Sequence, residues 1–175
     1  MALVVFLRGV NVGGHRTFRP SLLTQDLKHY DAVNIGAAGT FVIRKHASQA
    51  EVRAEFKRRL PFEAEIMICR HQDFLRLAAK NAFGGEPSRS DIVRFVSVLA
   101  KRPRILPSLP HSLPADGDWL VRILAIDNRF VFGMYRRHMK TIRYLNKIDT
   151  LFGVPVTTRN WSTITAIVKV LESGQ

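Results

Sequence analysis

A chain of 175 residues that is 46% hydrophobic and 9% aromatic carries enough apolar side chain to pack an interior, which excludes global disorder. Its 27 Lys+Arg against 14 Asp+Glu leave a net charge of +13, so acidic partners are favoured over acidic surfaces of its own. The single cysteine, Cys69, excludes an intrachain disulfide, and no apolar run approaches the ~20 residues needed to span a bilayer.

Ala2 to Leu7 is a continuous apolar run and predicts a buried strand. It is too short for a secretory leader and has no basic segment before it, so a cytoplasmic protein with no membrane partner is expected. After it comes a glycine-rich segment from Arg8 through Asn11, Gly13 and Gly14 to His15 and Arg16, and then a helix opening near Pro20. Leu22, Leu23 and Leu27 supply that helix with a buried stripe ending near Tyr30. Two short strands, Ala32–Ile35 and Thr40–Arg44, flank the small residues 36–39 and predict a tight hairpin. Ser48 is placed to cap a second helix whose Val52, Phe56 and Leu60 repeat at four-residue intervals. Pro61 stops it, and Ala64 to Cys69 reads as a fourth strand. The order βαββαβ is that of a ferredoxin-like unit.

A connecting helix is expected from about Gln72 to Asn81, followed by a loop through Gly84, Gly85 and Pro87. The expected division is therefore 1–82 for a first ferredoxin-like lobe with its connecting helix, and 83–175 for a second. Ile92 to Leu99 reads as a strand. Residues 103–114 hold four prolines and admit at most one helical turn, near Leu109. Trp119–Ile126 and Arg129–Tyr135 read as strands joined at Asp127-Asn128. Helices over about 140–152 and 160–172 close the chain. The fold class is thus α+β, with two consecutive ferredoxin-like lobes built on antiparallel sheets. The second lobe is a degenerate copy carrying the C-terminal helices.

The first loop fails as a nucleotide-binding motif. Gly9 and Gly14 have P-loop separation, but His15 and Arg16 stand where Lys and Ser/Thr are required, and Asn11 replaces the second glycine of a dinucleotide fingerprint. What remains is a flexible backbone at Gly13 and Gly14 with donors from Arg8, Asn11 and His15 beside it. That arrangement reads either as an anion loop or as a tight turn. Near the other end, Asn160 is placed to cap the last helix and Trp161 to begin its buried stripe. Arg159 would then set a cation at the positive end of the helix dipole, which an anion would relieve. Cys69 and His71 lack companions for a zinc set, Asp116 and Asp118 lack the rest of a calcium loop, and no nucleophile–base arrangement is evident. No cofactor is implied, and whether the chain is an enzyme stays open.

The residues Leu7-Arg8-Gly9-Val10-Asn11-Val12-Gly13-Gly14 and Thr157-Thr158-Arg159-Asn160-Trp161-Ser162-Thr163 resemble the two signatures of a bacterial family, domain of unknown function 1697. Where that family usually carries a Ser-Gly-Asn turn, this chain has Ala38-Gly39-Thr40. The resemblance implies a two-lobed α+β fold and no established activity.

No acidic residue occurs from Asn128 to Ile148, while Arg129, Arg136, Arg137, Lys140, Arg143 and Lys147 all fall there. Phe130 and Phe132 lie where RNA-recognition motifs place stacking aromatics, but they share one strand face and read better as core. Two functional readings follow. One is a module binding nucleic acid or another phosphate-bearing partner through Arg136, Arg137, Lys140 and Arg143. The other is a small-molecule enzyme or sensor, for a phosphorylated ligand, with an anion pocket formed by Arg8, Asn11, Gly13, Gly14, His15, Arg159 and Asn160.

Overall fold

The computed structural model of the chain describes residues 1–11 and 14–174, so Gly13, one of the expected anion-loop residues, lies outside the described residues. The polypeptide is mixed α+β, with two antiparallel sheets and several helices. It divides into two compact units: Met1–Ala79 with the chain from Thr163 onward, and Lys80–Ser162.

The first unit runs β1 (Leu3–Arg8), α1 (Pro20–Asp26), a 3-10 turn at Lys28–Tyr30, β2 (Ala32–Ile35), β3 (Thr40–Ile43), α2 (Gln49–Arg59), β4 (Glu65–Arg70) and α3 (His71–Ala79). Its strand order is β2-β3-β1-β4. Leu3, Val5 and Leu7 of β1 join the core beneath α1 and α2, with Leu23, Leu27, Val52 and Phe56. Phe6, on the opposite side of the strand, stacks on Phe74 of α3 at 5.7 Å between ring centroids. Both sides of β1 are buried, which is why its sequence is a continuous apolar run rather than an alternation. Helix α2 opens on a capping box: Ser48 Oγ accepts from the Glu51 amide at 3.1 Å, and the Glu51 carboxylate accepts from the Ser48 amide at 2.7 Å. Those bonds hold the Glu51 carboxyl below its usual range.

The second unit contains β5 (Ile92–Leu99), β6 (His111–Leu113), β7 (Val121–Asp127), β8 (Phe130–Arg136), α4 (Thr141–Leu145), α5 (Ile148–Phe152) and β9 (Val156–Asn160). Helix α6 (Trp161–Ser173) begins directly after β9. The strand order is β6-β7-β8-β5-β9, so setting β6 aside leaves the same sequence-order pattern as the first sheet. Phe95, Leu99, Val121, Ile123 and Val131 pack under Ile148 and Phe152 on one face. On the other face Phe83 meets both Phe132 and Trp161 edge-on, at 6.0 and 5.1 Å.

Three expectations are corrected in this unit. The stretch before the last helix is a strand, since Val156, Thr157 and Thr158 pair with β5 and close its free edge. The single helix expected over 140–152 is two short ones meeting at Asn146 and Lys147, an exposed polar junction. The proline-rich segment contributes β6, an edge strand bounded by Pro110 and Pro114, where unpaired backbone on one side is tolerated.

Candidate functional site

The first loop is tied into its own unit. Asn11 sits at φ +54°; its Nδ2 donates to the Ala37 carbonyl at 2.9 Å, and its Oδ1 accepts from the Phe18 amide at 3.0 Å. The Asn11 amide N–H also reaches the Arg16 carbonyl at 3.2 Å. One side chain thus joins the loop, the β2–β3 turn and the approach to α1. The turn itself requires Gly39, at φ +80°, because an added Cβ would stand 2.7 Å from Val10 and 2.8 Å from Leu7. Arg8 lies opposite Glu65 in the β1–β4 register, with Nη1 3.4 Å from the carboxylate and both side chains well exposed. Such a pair contributes little to stability. Gly14 and His15 are exposed.

Arg159 and Asn160 are placed differently from the sequence expectation. Arg159 is a strand residue paired with Val96 and only 7% exposed. Its Nη1 donates to Thr157 Oγ1 at 2.6 Å and to the Thr158 carbonyl at 2.9 Å. Burial pushes its guanidinium below the ordinary value, to about 10, which still leaves it charged at neutral pH. Asn160 ends the strand, and its Oδ1 accepts from the Tyr135 hydroxyl at 3.1 Å. Arg8, Asn11, Gly14 and His15 belong to the first unit, and Arg159 and Asn160 to the second.

The basic stretch leaves β8 at one end of the second sheet. Arg137, Lys140, Arg143 and Lys147 are exposed, as are Met139 at 87% and Ile142 at 62%. Among the described residues none of these four cations pairs with a carboxylate. Arg137 is anchored through Nε to the Ser90 carbonyl at 3.2 Å, and the Lys147 ammonium lies 5.0 Å from the Tyr144 ring centre. Thr141, buried behind them, donates from its hydroxyl to the Arg136 carbonyl at 2.6 Å and fixes the turn from strand to α4.

Arg136 brings in residues that the sequence reading missed. It shares a sheet face with Arg122 of β7 and Arg94 of β5, because Arg122 and Arg94 both lie opposite Met134, two residues before Arg136. The Arg122 and Arg136 guanidinium carbons lie 4.6 and 4.4 Å from the centre of the Trp119 ring. Arg94 lies 5.3 Å over Phe83 and donates to the Glu86 carbonyl. The alternation of Val121 and Ile123 with Arg122 could have placed Arg122 on the opposite strand face from the core; its meeting with Arg136 depends on non-local pairing.

Among the described residues no group of three His, Cys, Asp or Glu could hold a metal ion, and no helix is long and apolar enough to cross a membrane. A cavity of about 580 Å³ opens between Arg102, Pro103, Leu106, Leu109, Ile126 and Asn128.

Comparison with known proteins gives a family and a fold. The profile of a family described as a protein of unknown function, DUF1697, matches residues 1–109. No curated protein matches the sequence. Among solved structures, the chain is similar to the conserved bacterial protein SP0830 from Streptococcus pneumoniae, at 15% identity and a TM-score of 0.64. That likeness covers 97% of this chain and 98% of the pneumococcal one, and at such identity it concerns the fold alone.

Proposed function

The chain belongs to the DUF1697 family of proteins of unknown function, and we propose that it is a binding module for nucleic acid, engaging backbone phosphates through Arg136, Arg137, Lys140 and Arg143. The observation that carries this reading is the exposure of Arg137, Lys140 and Arg143 at one sheet end, in a stretch with no acidic residue to compensate them. Uncompensated cations raise the local potential and attract polyanions. We infer further that each unit is a ferredoxin-like lobe. The βαββαβ order and the β2-β3-β1-β4 arrangement support this for the first. The same arrangement with an added edge strand supports a degenerate copy for the second. The buried Cys69, the one cysteine of the sequence, suits a reducing, cytoplasmic setting.

Binding of a labelled 20-nucleotide strand should fall steeply with salt. Replacing Arg136, Arg137, Lys140 and Arg143 together by Ala should lower the slope of log affinity against log salt by up to about 3–4. An unchanged slope would remove the basic stretch as the binding surface.

A further inference from the structure

We propose that Trp119, Arg122 and Arg136 form a phosphate clamp that extends the nucleic-acid surface onto the sheet, a proposal that rests on the nucleic-acid reading above. Two guanidiniums held within 4.6 Å of one ring centre repel each other, and their attraction to the indole offsets that repulsion only in part. No carboxylate among the described residues pairs with either of them. Among the described residues Arg122 has one polar tether, Nε to Ser112 Oγ at 3.2 Å. The Nε–H of Arg136 is buried and finds no acceptor among the described residues. A buried donor left unmatched is unfavourable, so Arg136 is held in place by the ring rather than by an acceptor of its own.

The chemistry of the occupant follows from what the cluster leaves open. The indole already carries two guanidiniums, so it is a poor platform for a stacked base. The terminal N–H groups of planar guanidiniums form forks that match phosphate oxygens. Both arginines lie at the sheet end from which Arg137 and the exposed cations depart, so a strand bound at one continues onto the other. Trp119 acts here as a positioning residue. By immobilising two rotamer-rich side chains before binding, it reduces the ordering cost of phosphate capture.

The test titrates the full chain with a labelled 20-nucleotide single strand over a salt series, and separately follows its thermal unfolding with pyrophosphate. Arg122→Gln should weaken strand binding roughly tenfold and reduce the salt slope by about 1. Arg122→Lys keeps the charge and should retain the slope while losing affinity. Trp119→Leu should also weaken binding with the slope retained, because the charges remain but their placement is lost. If the wild type binds the strand and Arg122→Gln binds it equally, the clamp is wrong and the nucleic-acid reading stands. If no strand binds, yet pyrophosphate raises the wild-type melting temperature and not that of Arg122→Gln, the clamp stands as a phosphate site and the nucleic-acid reading fails. No effect of either probe overturns both. Arg122-dependent binding of polyglutamate tighter than that of the strand would overturn the choice of phosphate. If Arg122→Gln does not fold, Arg122→Lys and Trp119→Leu decide by affinity: weaker strand binding at a retained slope upholds the clamp, and wild-type affinity in both overturns it.

Discussion

Asn11 uses both ends of its amide within the fold, toward the Ala37 carbonyl and the Phe18 amide, from a backbone at φ +54°. Asn tolerates the left-handed region better than most residues, and its short side chain reaches main-chain groups on either side. Asn11→Ala should therefore lower stability by about 1–2 kcal/mol, the sum of two modest hydrogen bonds and a less suitable residue at positive φ. Denaturant unfolding measures this, and a change under about 0.3 kcal/mol would show that the loop is not held by this side chain. The sequence made Asn11 visible as a turn residue with spare donors. It could not show that Ala37 and Phe18 supply the partners, since those contacts exist only once β2 and β3 stand beside the loop. The strand position of Arg159 is hidden in the sequence for a related reason: Asn160 and Trp161 announce a helix start, and the cross-strand partner Val96 that makes Arg159 a strand residue lies 63 positions earlier in the chain.

Elements with strong local signals were legible. Ser48 and Glu51 mark the opening of α2 by themselves, and Ile92–Leu99 is apolar enough to declare β5. Elements that exist through pairing were not: β6 is three residues long, and β9 reads as a helix lead-in until β5 offers it an edge. Gly133 shows the same dependence inside β8. It lies opposite Phe95, whose ring covers it; an added Cβ would stand 2.5 Å from the ring and 2.8 Å from the Arg122 carbonyl. Gly133→Ala should thus cost about 1–3 kcal/mol despite the better strand propensity of Ala, because the buried ring cannot withdraw. Phe95→Leu in the same chain should recover part of that loss, and a strictly additive double variant would show that the ring is not the obstacle.

At the scale of the molecule, the strand order of the first sheet recurs in the second, while the chemistry is unequally distributed. The exposed cations Arg137, Lys140 and Arg143 of the acid-free stretch and the Trp119 cluster belong to the second unit, whereas the first ties its loop residue Asn11 into its own turns. The sequence by itself suggests one division of the chain, near residue 82. The last helix crosses that simple division: α6 begins at Trp161, and from Thr163 onward it groups with the first unit. Leu171 is 5% exposed on this helix, and Phe152 is fully buried in the core of the second unit. Truncating either side chain to Ala should cost about 2–5 kcal/mol through lost burial and an unfilled cavity. The two losses should register in different places. Leu171→Ala should reduce hydrogen-exchange protection chiefly in β1, β3 and β4, and Phe152→Ala chiefly in β5, β7 and β8, because local opening follows the contacts that are removed. Loss of protection in β5, β7 and β8 on Leu171→Ala, with β1, β3 and β4 unchanged, would show that the end of α6 stabilises the second unit instead.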